Sequence, residues 1–267
     1  MKLMILDLFC GQGGAGAGYM DSGFDVVGVD LLDFSKEYPG QFIQADAVEF
    51  LLQYGQYFDA IHASPPCQAF SPSTAVFRGR GKKYVDMIAD VRKVLETLGK
   101  PYVIENVPQA PIRKDISLVG YAFGLDLIKK RSFELGNGLF LLQMPFPRLA
   151  GRTVRNGDFA HVVGKGSHSG QGGQNKPYKG RREGETVLQV WRRVMQMPWA
   201  TTCQGLANAI PPTFTRYIGK NIHDQVLKLK EKPVYTKYVP VEIIGKKKSK
   251  PQLTPKVEQK NIQLEIF

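Results

Sequence analysis

At 267 residues the chain can bury a full core, and its length fits one α/β domain carrying an insertion. The 36 Lys and Arg against 24 Asp and Glu leave a net charge of +12, more than solubility needs, which points to a polyanion such as nucleic acid or an anionic membrane surface. No run approaches the roughly 18 apolar residues of a membrane span, residues 1–7 are too short and too soon acidic for a signal peptide, and Cys10, Cys67 and Cys203 lack CxxC spacing, so the expectation is a cytoplasmic protein with neither metal site nor disulfide framework.

The first unit reads as a strand from Leu3 to Phe9, a glycine-rich turn from Cys10 to Gly18 and a short helix to about Ser22. A second strand, Asp25 to Val29, ends at Asp30. Glycines let backbone approach a ligand, the helix start offers free amides, and an acid ending the second strand suits ribose hydroxyls; together these predict a nucleoside-cofactor site without saying which cofactor, since Gly11, Gly13 and Gly16 also fit a loose GxGxxG pattern. A third strand, Gln41 to Ala45, delivers Asp46, and an amphipathic helix from Ala47 to Tyr54 returns the chain to a fourth strand, 57–63. That strand runs into Ser64-Pro65-Pro66-Cys67-Gln68, where two prolines stiffen a turn holding a thiol at a strand end; this makes Cys67 a candidate nucleophile, a buried structural cysteine being the alternative. A polar, basic loop follows from Ser71 to Lys83, then a helix from Tyr84 to Leu98, then a strand from Pro101 to Ile104 that ends in Glu105-Asn106-Val107. Successive strands ending in acids or in the cysteine turn predict one shared site on a doubly wound, mostly parallel sheet.

The set Asp7-Leu8-Phe9-Cys10-Gly11-Gln12-Gly13-Gly14, Pro65-Pro66-Cys67-Gln68 and Glu105-Asn106-Val107, in this order and at these separations, closely resembles the DNA cytosine-5 methyltransferases that use S-adenosylmethionine. Lys129-Lys130-Arg131-Ser132-Phe133 is similar to that family's basic strand motif, which usually carries two arginines where this chain has Lys129 and Arg131. Leu206 to Pro212 is similar to the motif that completes the cofactor pocket, with a closing helix from Thr213 to Lys220. The resemblance implies a Rossmann-like class I methyltransferase. In it, Cys67 adds to C6 of a flipped-out cytosine, Glu105 engages N3, and Arg131 with Lys129 holds the base. Phe9, Gly11, Gly13, Asp30, Asp46, Pro65 and Asn208 would line the S-adenosylmethionine pocket. A tRNA cytosine-5 methyltransferase and an inactive DNA-binding relative remain alternatives. The histidines are scattered, and none is expected to act as a general base.

The implied organisation is a catalytic core over 1–136, a small basic Gly-rich target-recognition region over 137–185, a core-completing part over 186–224 and a basic tail over 225–267 with at most one strand, Val239 to Ile244. Double-stranded DNA is the expected partner of a monomer. Gln68, Ser71, Arg80, Arg152, Arg155, Lys165, Arg181 and Arg182 are the candidate DNA contacts. The final Gln263-Leu264-Glu265-Ile266-Phe267 resembles the short peptide by which bacterial polymerases and repair proteins dock on the sliding clamp, Gln263, Leu264, Ile266 and Phe267 being the contacts.

Overall fold

Apolar runs bounded by turns become the strands of a seven-stranded sheet in this computed structural model, which describes residues 2–164 and 176–230. The strands are β1 (Met4–Leu8), β2 (Asp25–Asp30), β3 (Gln41–Gln44), β4 (Ala60–Ala63), β5 (Tyr102–Asn106), β6 (Ile116–Val119) and β7 (Lys130–Gly136), in spatial order β3-β2-β1-β4-β5-β7-β6. Neighbours from β3 through β5 pair in parallel, whereas β7 runs antiparallel to both β5 and β6. The strand order reverses between β1 and β4, so the turns after those strands open on the crevice where such sheets hold ligands.

Both faces are covered, as the near-continuous apolar strands require. Ile5 and Val103 face α1 (Gly14–Met20) and α7 (Pro212–Lys230), packing with Tyr19, Phe214, Ile218 and Ile222. Leu6, Leu8, Ile61 and Ile104 face α2 (Ala47–Tyr54) and α4 (Ile88–Leu98) through Leu51, Val91 and Leu95. Each such side chain, fully buried, contributes about 1.5–3 kcal/mol. A third cluster joins α5 (Val187–Met195) and α6 (Cys203–Asn208) to Leu125, Leu127, Ala160 and Val162.

Several elements differ from expectation. The helix foreseen from Tyr84 starts only at Ile88, after a turn in which the Asp86 carboxylate accepts from the Ile88 amide at 2.9 Å. The loop from Ser71 to Lys83 is partly helical, with a 3₁₀ turn at Pro72–Thr74 and α3 at Ala75–Gly79. Strand β6 and helix α5 were not foreseen. The closing helix runs past Lys220 and past residue 224 to Lys230; Val226 is fully buried, and Lys230 Nζ lies 2.8 Å from Asp59 Oδ1, so the start of the expected tail belongs to the core.

The described residues of 137–185 form no helix or extended strand, only a bridge between Leu127 and Ala160. They are nevertheless anchored. Leu139 and Leu141 join the α1/α7 cluster and Ala160 and Val162 the third one. Lys165, the proposed strand 239–244 and the clamp-like peptide 263–267 lie outside the described residues.

Candidate active site

The turn after β1 is conformationally demanding. Phe9 has φ +58° and Gly11 φ +48°, both left-handed, and the non-glycine case is the costlier. The Gly11 amide donates to Asp30 Oδ2 at 3.0 Å while Leu32 N–H donates to Oδ1 at 3.0 Å, which ties the end of β2 to the glycine turn. A side chain at Gly11 would meet open space, whereas one at Gly13 would meet Pro39 and the Tyr38 ring. Gly11 therefore leaves room for a ligand beside a strand-end carboxylate, and Gly13 serves the packing beneath. Phe9 is half-buried against the α2/α4 cluster. Asp46 caps α2, its Oδ1 accepting from Val48 and Glu49 amides at 2.9 and 3.0 Å. Asn208 sits exposed on α6, where its Oδ1 accepts from Gln204 at 2.9 Å. Open space at Gly11, the Asp30 carboxylate and the Phe9 ring fit a nucleoside cofactor.

Beneath this turn lies Asp7, fully buried, with Tyr38 Oη donating to Oδ2 at 3.0 Å and Oδ1 left without a partner. Burial pushes its carboxyl up to about 7, against the Tyr38 hydrogen bond.

The turn after β4 carries the thiol. Asn106 Nδ2, at the end of β5, donates to the Pro65 carbonyl at 2.9 Å and fixes the cysteine turn to its neighbouring strand. Cys67 O accepts from the Phe70 and Ser71 amides at 3.0 and 2.9 Å. Arg78 Nη1 then donates to the Gln68 and Ser71 carbonyls at 3.0 and 2.8 Å, and Thr74 Oγ1 donates to the same two at 2.7 and 2.8 Å. The loop after the thiol is thus braced by its own side chains.

Glu105 ends β5 and is buried; Arg131 Nε, on the adjacent β7, lies 2.9 Å from its Oε1. That nitrogen's N–H does not point at the oxygen, so Oε1 has charge compensation without an aligned hydrogen bond. Burial raises the Glu105 carboxyl above the usual range, opposed by Arg131, Ser64 and Lys129. Burial likewise pushes the Cys67 thiol up; Arg131 and Lys129 pull it down and Glu105 adds to the rise. These mutual effects bring Cys67, Glu105, Arg131 and Lys129 into one electrostatic cluster. Lys129 also holds two elements together, since its buried ammonium donates to the Ala207 carbonyl at 2.5 Å and to Leu206 at 3.2 Å. It therefore ties the segment entering β7 to α6, and burial holds its ammonium well below the usual lysine range.

Of the candidate DNA contacts, Gln68 and Ser71 adjoin Cys67, and Arg80 is exposed at the end of α3. Arg155 and Arg182 are also exposed. Arg152 instead binds Asp126 Oδ1 at 3.1 Å and stacks on Phe159 at 4.4 Å, while Arg181 Nε donates to Glu185 O at 3.0 Å. Sequence reasoning missed the structural parts played by Tyr38 and Arg78. Only Arg78 had a signal, as a cation between polar loop residues. Among the described residues no cluster of three or more His, Cys, Asp or Glu could hold a metal, and no helix is long and apolar enough to cross a membrane.

No curated protein matches the chain. Among solved structures, a prophage-encoded DNA modification methyltransferase of E. coli aligns at TM-score 0.54 and 16% identity over 85% of this chain and 99% of its own. The Dnmt2 methyltransferase of S. pombe aligns at 0.54 and 13% over 84% and 99%, and the DNMT2 of Spodoptera frugiperda at 0.52 and 14% over 83% and 99%. At these identities the likeness speaks to fold, which is that of the class I methyltransferases. Residues 3–114 match the family model described as C-5 cytosine-specific DNA methylase, a span that holds the glycine turn, the cysteine turn and Glu105.

Proposed function

We propose that the protein transfers a methyl group to C5 of cytosine in double-stranded DNA through a covalent adduct between Cys67 and C6 of the ring. The observation that supports the reading is the Glu105–Arg131 pair, Nε 2.9 Å from Oε1, on the strand whose next residue, Asn106, holds the cysteine turn through the Pro65 carbonyl, with the open glycine turn after β1. S-adenosylmethionine, when bound, supplies an electrophilic methyl on a sulfonium, and Phe9, Gly11, Asp30, Asp46 and Pro65 are the residues to hold it.

Cytosine C5 becomes nucleophilic only when electron density is pushed into the ring, and addition of the Cys67 sulfur to C6 does this. The charge that builds at N3 is met by Glu105, whose carboxyl burial raises, so that it takes and shares a proton more readily than an exposed carboxylate. Arg131, fixed against Glu105, orients the base without reorganising during reaction. Loss of the C5 proton and expulsion of the Cys67 thiolate complete the cycle. A base inside a duplex must first be flipped out, at a cost of a few kcal/mol, and the braced loop from Gln68 to Arg80 is positioned next to the thiol to offset it.

Transfer of labelled methyl from S-adenosylmethionine to duplex DNA and, in parallel, to tRNA tests the reading. Labelling of DNA, abolished by Cys67→Ser, is expected. Labelling of tRNA alone would move the substrate, and full activity of Cys67→Ser would refute the covalent step.

A further inference from the structure

Helix α6 is short and is held at both ends by residues from distant parts of the chain. Its C-terminal end needs a donor because of the sequence that follows. Ile210 is succeeded by Pro211 and Pro212, and proline has no N–H, so the carbonyls of Ala207 and Asn208 lack the amides that would serve them four residues on. The backbone has already left the helix at Ala209, whose ψ is 165°. Lys129 Nζ supplies the missing donor, reaching Ala207 O at 2.5 Å and Leu206 O at 3.2 Å, and a cation suits the last carbonyls of a helix.

The other end of α6 meets the glycine turn after β1. Thr202 Oγ1 accepts from the Gly205 amide at 3.0 Å and so caps the helix, while the Thr201 hydroxyl donates to Glu37 Oε1 at 3.1 Å. Gln12, buried between Gly11 and Gly13, reaches both threonines. Its Nε2 donates to Thr201 Oγ1 at 2.8 Å and lies 3.4 Å from Thr202 Oγ1, and its own carbonyl accepts from Trp199 Nε1 at 2.8 Å. The fit is close: a methyl group at Gly205 would run into the Gln12 carboxamide, and one at Gly14 into the Ile210 carbonyl. The glycine turn therefore rests along the segment 199–210, although 189 positions separate Gln12 from Thr201.

We propose that Lys129 is a positioning residue for the cofactor turn: it anchors α6 beside the strand that carries Arg131, and Gln12 passes that anchorage to the turn at Gly11. The helix is a brace between the two halves of the site. Lys129 lies in the segment entering β7, two residues before Arg131, whose Nε is 2.9 Å from Glu105 Oε1. At the far end the Gly11 amide donates to Asp30 Oδ2 at 3.0 Å. A turn with Phe9 at φ +58° and Gly11 at φ +48° needs such support, because left-handed backbone at a non-glycine residue persists only where its surroundings fix it. Removing a cation on the base side thus loosens the turn on the cofactor side. The inference rests on the methyltransferase reading for what the turn binds; the brace itself does not depend on it.

Hydrogen exchange of the full chain without ligand, read by mass spectrometry on peptides covering 8–18 and 199–210, tests the brace. Lys129→Met, which keeps the stem and loses the donor, is expected to speed exchange several-fold in both peptides, and Lys129→Arg, which keeps a cation at the carbonyls, to leave both near the unmodified chain. Faster exchange at 199–210 alone overturns the proposal, since Lys129 would then serve only its own helix. Calorimetry with S-adenosylhomocysteine reads the same connection at the turn. Lys129→Met is expected to weaken binding by about tenfold, the scale of one lost charge-assisted contact. Combined with Gln12→Met it should weaken binding no further than Gln12→Met alone, because both changes break one brace, and additive losses overturn the proposal. Should Lys129→Met fail to fold, Thr201 decides: Thr201→Val removes the hydroxyl that Gln12 reaches and Thr201→Ser keeps it. Faster exchange at 8–18 and at 203–210 in the valine variant, restored by serine, supports the brace, and a change at 8–18 alone overturns it. A chain that shows the paired exchange but binds no S-adenosylhomocysteine would refute the functional reading and leave the brace standing.

Discussion

At the scale of single residues, the site sets two titrations against each other. The thiol of Cys67 is raised by burial, so the reactive thiolate accumulates only as pH rises, and Arg131 limits the rise. Alkylation of Cys67 by iodoacetamide, followed by mass spectrometry, should climb with pH and have its midpoint above that of an ordinary cysteine. Arg131→Gln should move the midpoint higher still and slow alkylation several-fold at pH 8. Asp7 offers a cleaner linkage. Its carboxyl is raised from 3.8 to about 7, so the folded chain binds more protons than the unfolded chain between those values, and stability falls as pH rises through that window. Asp7→Asn removes the charge and keeps an acceptor for Tyr38. Urea unfolding should show the unmodified chain losing stability between pH 5 and pH 8 and the variant losing less.

At the scale of elements, α1 and α7 meet face to face with almost no space between them. A methyl group at Gly18 would run into the Pro212 carbonyl and the Thr215 hydroxyl, so Gly18→Ala should cost about 1–3 kcal/mol in urea unfolding. The elements that end in chemistry were legible in the sequence, because Asp30, Cys67 and Glu105 each follow an apolar strand and punctuate it. Strand β6 was not, since Ile-Ser-Leu-Val is only four residues and becomes a strand by pairing antiparallel with β7 far along the sheet. Helix α5 could have been found: Thr186 and Gln189 form a capping box in front of an apolar stripe at Val190, Trp191 and Val194. In the site, Lys129 and Arg131 were both expected to hold the base from the resemblance to the family's basic strand motif, with lysine standing where an arginine is usual. The two diverge because an ammonium with three donors is best satisfied by the free carbonyls at the end of α6, whereas the guanidinium lies along Glu105.

At the scale of the whole molecule, charge and packing make separate demands. The excess of +12 favours phosphate contacts, so DNA affinity measured by fluorescence anisotropy should fall steeply with salt, by about 10³-fold or more between 50 and 200 mM if six or more phosphates are neutralised. A shallow dependence would argue against a nucleic-acid substrate. Packing ties the two ends of the core together. Tyr19 of α1 and Phe214, Ile218 and Ile222 of α7 share one cluster, although most of the chain separates them. During synthesis at 5–20 residues per second, the first βα unit leaves the ribosome about 10–40 s before its covering helix exists. For that interval one face of the nascent sheet is bare hydrocarbon, and the chain depends on whatever shields it in the cell until α7 emerges.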